Sequence, residues 1–380
     1  MWCWLLLFAG VALGCDVVRF LNAQEDLPQW GVLEGTSAIV LEGSEGLSTQ
    51  QFLSSAVRER AEALCLHQRS PIWETVVLSD TLLLSPITKE STIFTSTPNG
   101  PPSLIKSAQA LGSPQHRVYY PPSISLLDLE TDIGFIVSRE VDPDHLPDID
   151  FLFSGLVMTN TFVARDLQLI EGNVTRSHNL PHLTRIGPSV RLLGPQQRLS
   201  QVLPELTFSL KRRGSSLVTH TMESDVIGRL QSSLCAALLK GNLSVGDVLM
   251  VSAFFASPVS AMPSPLNALL NLVLDDMMYR SLLVWWEETF SSHYLRNGDL
   301  LQVSVLQGQG QDQDVLGQEE FLIQKDSAKN WEGLVPQRPA EDFLPRLLTL
   351  AAFWLAVGGS FGFLVLFIGL RCSRTKSKEE

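Results

Sequence analysis

Between the two ends of the chain the apolar positions switch repeatedly between two spacings. "SAIVLEG" is a short apolar run of strand type. "QQFLSSAVRERAEALC" follows, with Phe52, Leu53, Ala56, Val57, Ala61 and Leu64 on one helical face and Thr49 placed to cap it. "TVVLSDTLLL" returns to strand patterning, and this strand–helix–strand order predicts an α/β core of mixed pairing. Residues 92–123 are rich in Pro, Ser and Thr and predict a linker with one short helix over 104–111. Further strands are expected at "DIGFIVS", "DFLFSGLVM", "ELTFSL", "DVLMVSAFF" and "LLQVSVL". Two more helices are expected between them. One is "SDVIGRLQSSLCAALLKG", capped by Ser224, and the other covers 265–294. "QGQGQDQDVLGQEE" reads as a polar surface loop.

Both ends carry uncharged apolar runs. The first, ending "ALGC", is too short to span a bilayer and predicts a signal peptide over 1–14, cut after Gly14. The second, 347–370, holds 24 uncharged residues, roughly 36 Å of helix, enough to cross a membrane. Arg371, Arg374, Lys376 and Lys378 follow it and place the tail 371–380 in the cytosol. The expected architecture is therefore a mixed α/β ectodomain over 15–345 followed by a single transmembrane helix. Sub-domains are expected at 15–91 and 124–325, around the linker. Within the span, Gly358 and Gly362 form a small-residue face suited to helix packing.

Net charge is −12 and the tail is basic, so the remainder is more acidic still. That excludes a general nucleic-acid binder, which needs a basic surface. Cys15, Cys65 and Cys235 remain outside the cytosol, and the expected disulfide is Cys65–Cys235, with Cys15 left over. Asn173 and Asn242 begin sequons without an intervening proline and are expected glycosylation sites.

The search for chemistry finds no constellation. "VDPDHLPDID" brings Asp142, Asp144, His145, Asp148 and Asp150 together, but it lacks the glycine and the terminal Glu of a calcium loop. It reads as a turn. His178 and His182 are four apart with Pro181 between them, which reads as a polar loop. Nucleophile elbow, phosphate loop, zinc motif and dinucleotide fingerprint are all missing. No catalytic residue, metal or cofactor is assigned, and no enzyme is expected.

The ending "KSKEE" resembles the dilysine retrieval signal of endoplasmic reticulum membrane proteins, with Lys376 and Lys378 read by coat proteins. The layout, with the segment "WWEETFSSHY", the break Arg296-Asn297-Gly298 and the strand "LLQVSVL", resembles the vacuolar proton pump (V-ATPase) accessory proteins of the renin receptor type. That resemblance implies a non-enzymatic accessory or assembly subunit of an endoplasmic reticulum membrane complex. Its partners would bind through the ectodomain and the transmembrane helix. A subunit of GPI-anchor or glycan-transfer machinery, a cargo receptor cycling to the Golgi and a tethered luminal enzyme are the alternatives.

Overall fold

The computed structural model describes residues 15–326, apart from 23–24, 67–73, 96–103, 115, 145–146, 173, 195–196, 204–205, 222–225, 255–275 and 308–313. The leader 1–14, Asn173, the span 347–370 with Gly358 and Gly362, and the tail with Lys376 and Lys378 lie outside the described residues.

The first strands are β1 (Cys15–Asn22), β2 (Gln29–Glu34), β3 (Ser37–Val40), β4 (Thr75–Val77) and β5 (Thr81–Leu84). Short strands follow: β6 (Ile93–Thr95), β7 (Leu104–Lys106), β8 (Leu111–Gly112) and β9 (Arg117–Tyr120). The central strands are long: β10 (Leu127–Val137), β11 (Phe153–Ala164) and β12 (Thr184–Leu192). The last are β13 (Leu206–Arg212), β14 (Ser215–Thr221), β15 (Val248–Phe254), β16 (Leu300–Gln307) and β17 (Asp314–Lys325).

They form two sheets. The larger runs β4-β3-β2-β1-β12-β11-β10-β15-β6-β7, with β5 beside β1 and β8 beside β12; the smaller runs β14-β13-β16-β17-β9. Pairing is antiparallel except at β8–β12, β6–β15 and β9–β17. The stretch expected as a linker thus contributes β6 to β9, and its expected helix at 104–111 is two strands joined by one 3-10 turn. The expected loop after β16 becomes β17 from Asp314 onward, because a paired edge satisfies backbone groups that a loop would leave to water.

The expected mixed α/β organisation is present, and what is corrected is the membrane helix expected after it. Two sheets carry the fold, with short helices packed on them, and no helix among the described residues is long and apolar enough to cross a membrane.

The helix expected from 49 breaks into α1 (Thr49–Leu53) and α2 (Ala56–Cys65). Ser48, not Thr49, caps it: the Ser48 hydroxyl accepts from Gln51 N, and the Gln51 side chain accepts in return from Ser48 N. Thr49 is buried instead, its hydroxyl donating to the Pro86 carbonyl at 2.7 Å. These helices close an apolar cluster in which Phe52 stacks on Trp30 at 4.3 Å, above Val17, Ile136 and Val157.

The expected Cys65–Cys235 disulfide is corrected too. Cys65 ends α2 directly over the start of β1 and is bonded to Cys15, with Cα atoms 5.4 Å apart. Cys235 lies on the exposed face of a later helix, Val226–Leu238, with a free thiol. The bond closes a loop of sequence separation 50, so the C15S/C65S double variant is expected to lose about 2–4 kcal/mol in urea unfolding. A loss below ~1 kcal/mol would show that packing of α2 alone holds β1.

The chain divides into two compact units, Met1–Val259 with Ser291–Trp331, and Ser260–Phe290 with Glu332–Glu380. Both sheets, α1, α2 and the disulfide belong to the first. In the second, the helix Asp276–Phe290 places the Phe290 ring 4.6 Å from Trp286 and 6.1 Å from Trp285.

Candidate active site

β10 and β11 pair without interruption from Leu127↔Ala164 to Ile136↔Gly155, so directly opposed residues share a face. One face packs on the smaller sheet. Phe162 meets Phe321 edge-on at 5.3 Å, Asn160 donates to Glu319 at 2.6 Å, and Gly317 leaves room for Met158. The other face changes character along β10. Ile136 belongs to the apolar cluster under α1 and α2, Gly134 fits tightly between Val157 and Val248, and then come Asp132, Glu130 and Asp128. Opposite them on β11 stand Thr159, Thr161 and Val163. Three carboxylates at alternate positions of one strand thus point the same way, all buried.

Three basic side chains answer them. β11 runs without a loop into α3 (Arg165–Glu171), and this junction aims Arg165 at the acids. Its Nε donates to Asp128 Oδ2 at 2.9 Å, and one terminal nitrogen donates to Glu130 Oε1 at 2.8 Å. Asp166, next in the chain, accepts from Ser125 N at 2.8 Å and anchors that end of the helix.

The short helix α4 (Val174–His178) ends on His178, which is buried with Nε2 3.0 Å from Glu130 Oε2. Its Nδ1 lies 2.8 Å from the Val174 carbonyl oxygen and 3.0 Å from the Ser177 hydroxyl, so the ring is held from both sides.

The third is Lys106. β7 is the edge strand, four places from β11 in the sheet order, which in a flat sheet would be roughly 19 Å. Yet the Lys106 ammonium donates to Thr161 Oγ1 at 3.3 Å and to the His178 carbonyl at 2.9 Å, so the sheet curls to bring its edge back over its centre. Asn179 fixes the return: its carbonyl oxygen accepts from Ser107 N at 2.7 Å and its amide donates to the Ile105 carbonyl.

The electrostatics follow from burial and charge. Burial lowers the Lys106 ammonium to about 8, although Glu130 and Asp132 oppose that shift. Burial alone would raise Glu130, but the His178 hydrogen bond and the charges of His178, Arg165 and Lys106 hold it at about 2. For Arg165, burial is outweighed by Asp128 and Glu130, and its affinity for the proton rises. The cluster reaches water at His293, 39% exposed, whose Nε2 is 3.4 Å from Asp128 Oδ1.

None of the cluster was assigned from sequence. His178 and His182 are not brought together: His178 is buried against Glu130, while His182 is exposed with a positive φ of 60°. Asp142 and Asp148 serve as turn formers, accepting from Asp144 N and Asp150 N, while Asp150 accepts from the backbone and hydroxyl of the distant Ser200. Asn242 is exposed just after the helix Val226–Leu238, the setting its sequon requires. The basic run "KRRG" ends β13 and turns into β14 at Arg213 and Gly214, with Arg212 and Arg213 both paired to the buried Asp299.

No protein-family model matches the chain, and no curated protein matches it by sequence. Solved structures do match in fold. A probable 2-hydroxyhepta-2,4-diene-1,7-dioate isomerase from Mycobacterium abscessus aligns with TM-score 0.54 and 17% identity, over 83% of this chain and 100% of that one. The 5-carboxymethyl-2-hydroxymuconate delta-isomerase from Mycobacterium smegmatis gives 0.50 and 14%, over 82% and 100%. Maleylpyruvate hydrolase from Sphingobium sp. SYK-6, in complex with manganese(II) ion and pyruvate, gives 0.53 and 13%, over 82% and 100%. At these identities the likeness shows the fold, that of fumarylacetoacetate hydrolase-like isomerases and hydrolases.

The resemblance to vacuolar proton pump accessory proteins is overturned by this match, since it rested on about 25 residues and the fold spans most of the chain. The assembly-subunit function, the membrane-complex and coat-protein partners and the endoplasmic reticulum placement were built on the layout of the termini and fall with it. The expectation of no enzyme is overturned likewise: the solved structures named above are enzymes.

Manganese is the metal that one of these neighbours brings into question, and the residues here do not fit it. Among the described residues no group of three His, Cys, Asp or Glu is arranged to hold a metal ion. Both oxygens of Asp128 and both of Glu130 already face donors: Arg165, His178, His293 and the Leu129 amide.

Proposed function

We propose that the chain is an enzyme acting on a small 2-oxo or 2-hydroxy carboxylic acid, by isomerisation or hydrolysis, at the β10 cluster. The observation that carries this reading is the cluster itself. Asp128, Glu130, Asp132, Lys106, Arg165 and His178 are all buried on one patch of one sheet face. Burying so many charges is a poor route to stability, and strongly shifted groups gathered at one place are characteristic of chemistry.

The substrate class follows from the fold's solved members, whose names share a hydroxylated or oxo-bearing carboxylic acid. The residues suit proton movement on such a molecule. An ammonium brought to about 8 both gives and takes a proton near neutral pH, and Glu130 keeps the His178 ring oriented. His293 stands where the cluster meets solvent and marks the entrance for an anionic substrate.

The test is a panel of 2-oxo acids and 2-hydroxydienoic acids offered to the full chain, following loss of the conjugated enol absorbance. Glu130→Gln keeps the shape and removes the charge that orients His178 and faces Lys106; it is expected to lower kcat by about 10²–10⁴-fold, the span over which the acid–base catalysis it supports acts. Folded wild-type protein inert towards the whole panel would end this reading.

A further inference from the structure

We propose that Lys106 is the built-in counter-cation of the β10 carboxylates, and that this site therefore works without a divalent metal. The proposal rests on the reading of the cluster as the active site, and it names the cation that reading needs.

Three buried carboxylates on one strand face are an arrangement that calls for positive charge. A divalent ion would meet it through carboxylate oxygens at about 2.0–2.6 Å, stripped of other partners. Here the oxygens of Asp128 and Glu130 face Arg165, His178, His293 and the Leu129 amide. The Lys106 ammonium reaches this same face, donating to Thr161 Oγ1 at 3.3 Å, and Thr161 stands directly opposite Glu130 with Asp132 the next residue along that face of β10.

Lys106 is not there by default. It is only 5% exposed, it stands on an edge strand that has to curl back to reach the centre, and Asn179 clamps the residues on either side of it. A lysine is rarely buried this far without a charge to meet. Lys106 and Arg165 stand against the three carboxylates and His178 occupies the second oxygen of Glu130, so a dication finds little uncompensated charge there.

The experiment titrates the full chain with manganese(II) and reads free ion by electron paramagnetic resonance, with no substrate present. Wild type is expected to leave the signal of free manganese unchanged to millimolar concentration. Uptake of one ion per chain, abolished by Glu130→Gln, would overturn the proposal. Lys106→Met, similar in length, is expected to take up manganese at least about tenfold more tightly than wild type, while Lys106→Arg behaves as wild type. A folded Lys106→Met protein with no added uptake would also overturn it. If Lys106→Met fails to fold and Lys106→Arg folds, the charge at this position is the requirement and the proposal stands. If neither folds, the wild-type titration decides. Turnover that depends on added manganese and stops with chelator would sink the metal-free site and leave the enzyme reading intact. A chain silent to both manganese and every acid of the panel would sink the enzyme reading and leave the counter-cation.

Discussion

Arg165→Met is expected to destabilise the protein by about 3–5 kcal/mol, the cost of leaving a buried charge without its partner. The side chain is nine-tenths buried, its nitrogens meet both Asp128 and Glu130, and those carboxylates are themselves buried. Against a total stability of about 5–15 kcal/mol, such a loss leaves the variant marginal. A double-mutant cycle separates the ion pairs from lost packing. Arg165→Met combined with Asp128→Asn is expected to cost less than the two single changes together, since the second removes the charge the first has stranded. If the costs simply add, Arg165 acts as filler and the cluster is wetter than its burial indicates. Acid unfolding gives an independent check. Glu130 is held at about 2 against an ordinary 4.5, so its contribution is complete above about 4.5 and is lost as pH falls through about 2. In Arg165→Met that acid limb should move to higher pH.

Much of the sheet was legible in the chain, because strands with one apolar face announce themselves. "LLQVSVL" lies within β16, and "DIGFIVS" and "DFLFSGLVM" overlap β10 and β11. What misled was the start of β10. The run "LDLETD" alternates charge with apolar residues, and period two there means a strand whose second face is acidic. Charge at that period reads at first as a solvated face; only the sheet geometry shows that α3, α4 and β7 cover it. Lys106 was beyond reach from sequence. It sits in a Pro- and Ser-rich stretch, and its partners are 24 to 72 positions away. The termini misled in another way. Apolar ends and two lysines fix a layout, and layout says nothing about which fold lies between.

The second large effect is expected at Glu319, on the opposite face of β11. Its Oε2 accepts from Asn160 at 2.6 Å, while Oε1 is buried without a hydrogen-bond partner among the described residues. Burial raises this carboxyl to about 8, against the hydrogen bond from Asn160 and the charge of Arg185. The sign of the consequence is fixed. Below about 4.5 the folded and unfolded chains are both protonated there, and the group costs nothing. As pH rises from 4.5 towards 8 the unfolded chain releases its proton and the folded chain keeps it, so stability falls across that window. Glu319→Gln holds the acceptor for Asn160 and removes the ionisation. The variant is expected to match wild type at pH 4 and to exceed it by on the order of 2–4 kcal/mol at pH 8 in thermal or urea unfolding. The opposite result, a variant that is weaker at pH 8 than at pH 4 relative to wild type, would mean that Glu319 is ionised and paired with Arg185. The space between the two sheets would then hold a second ion pair. The outcome therefore decides how the protein places charge: gathered on one face of β10 and β11, where the chemistry is proposed, or carried on both.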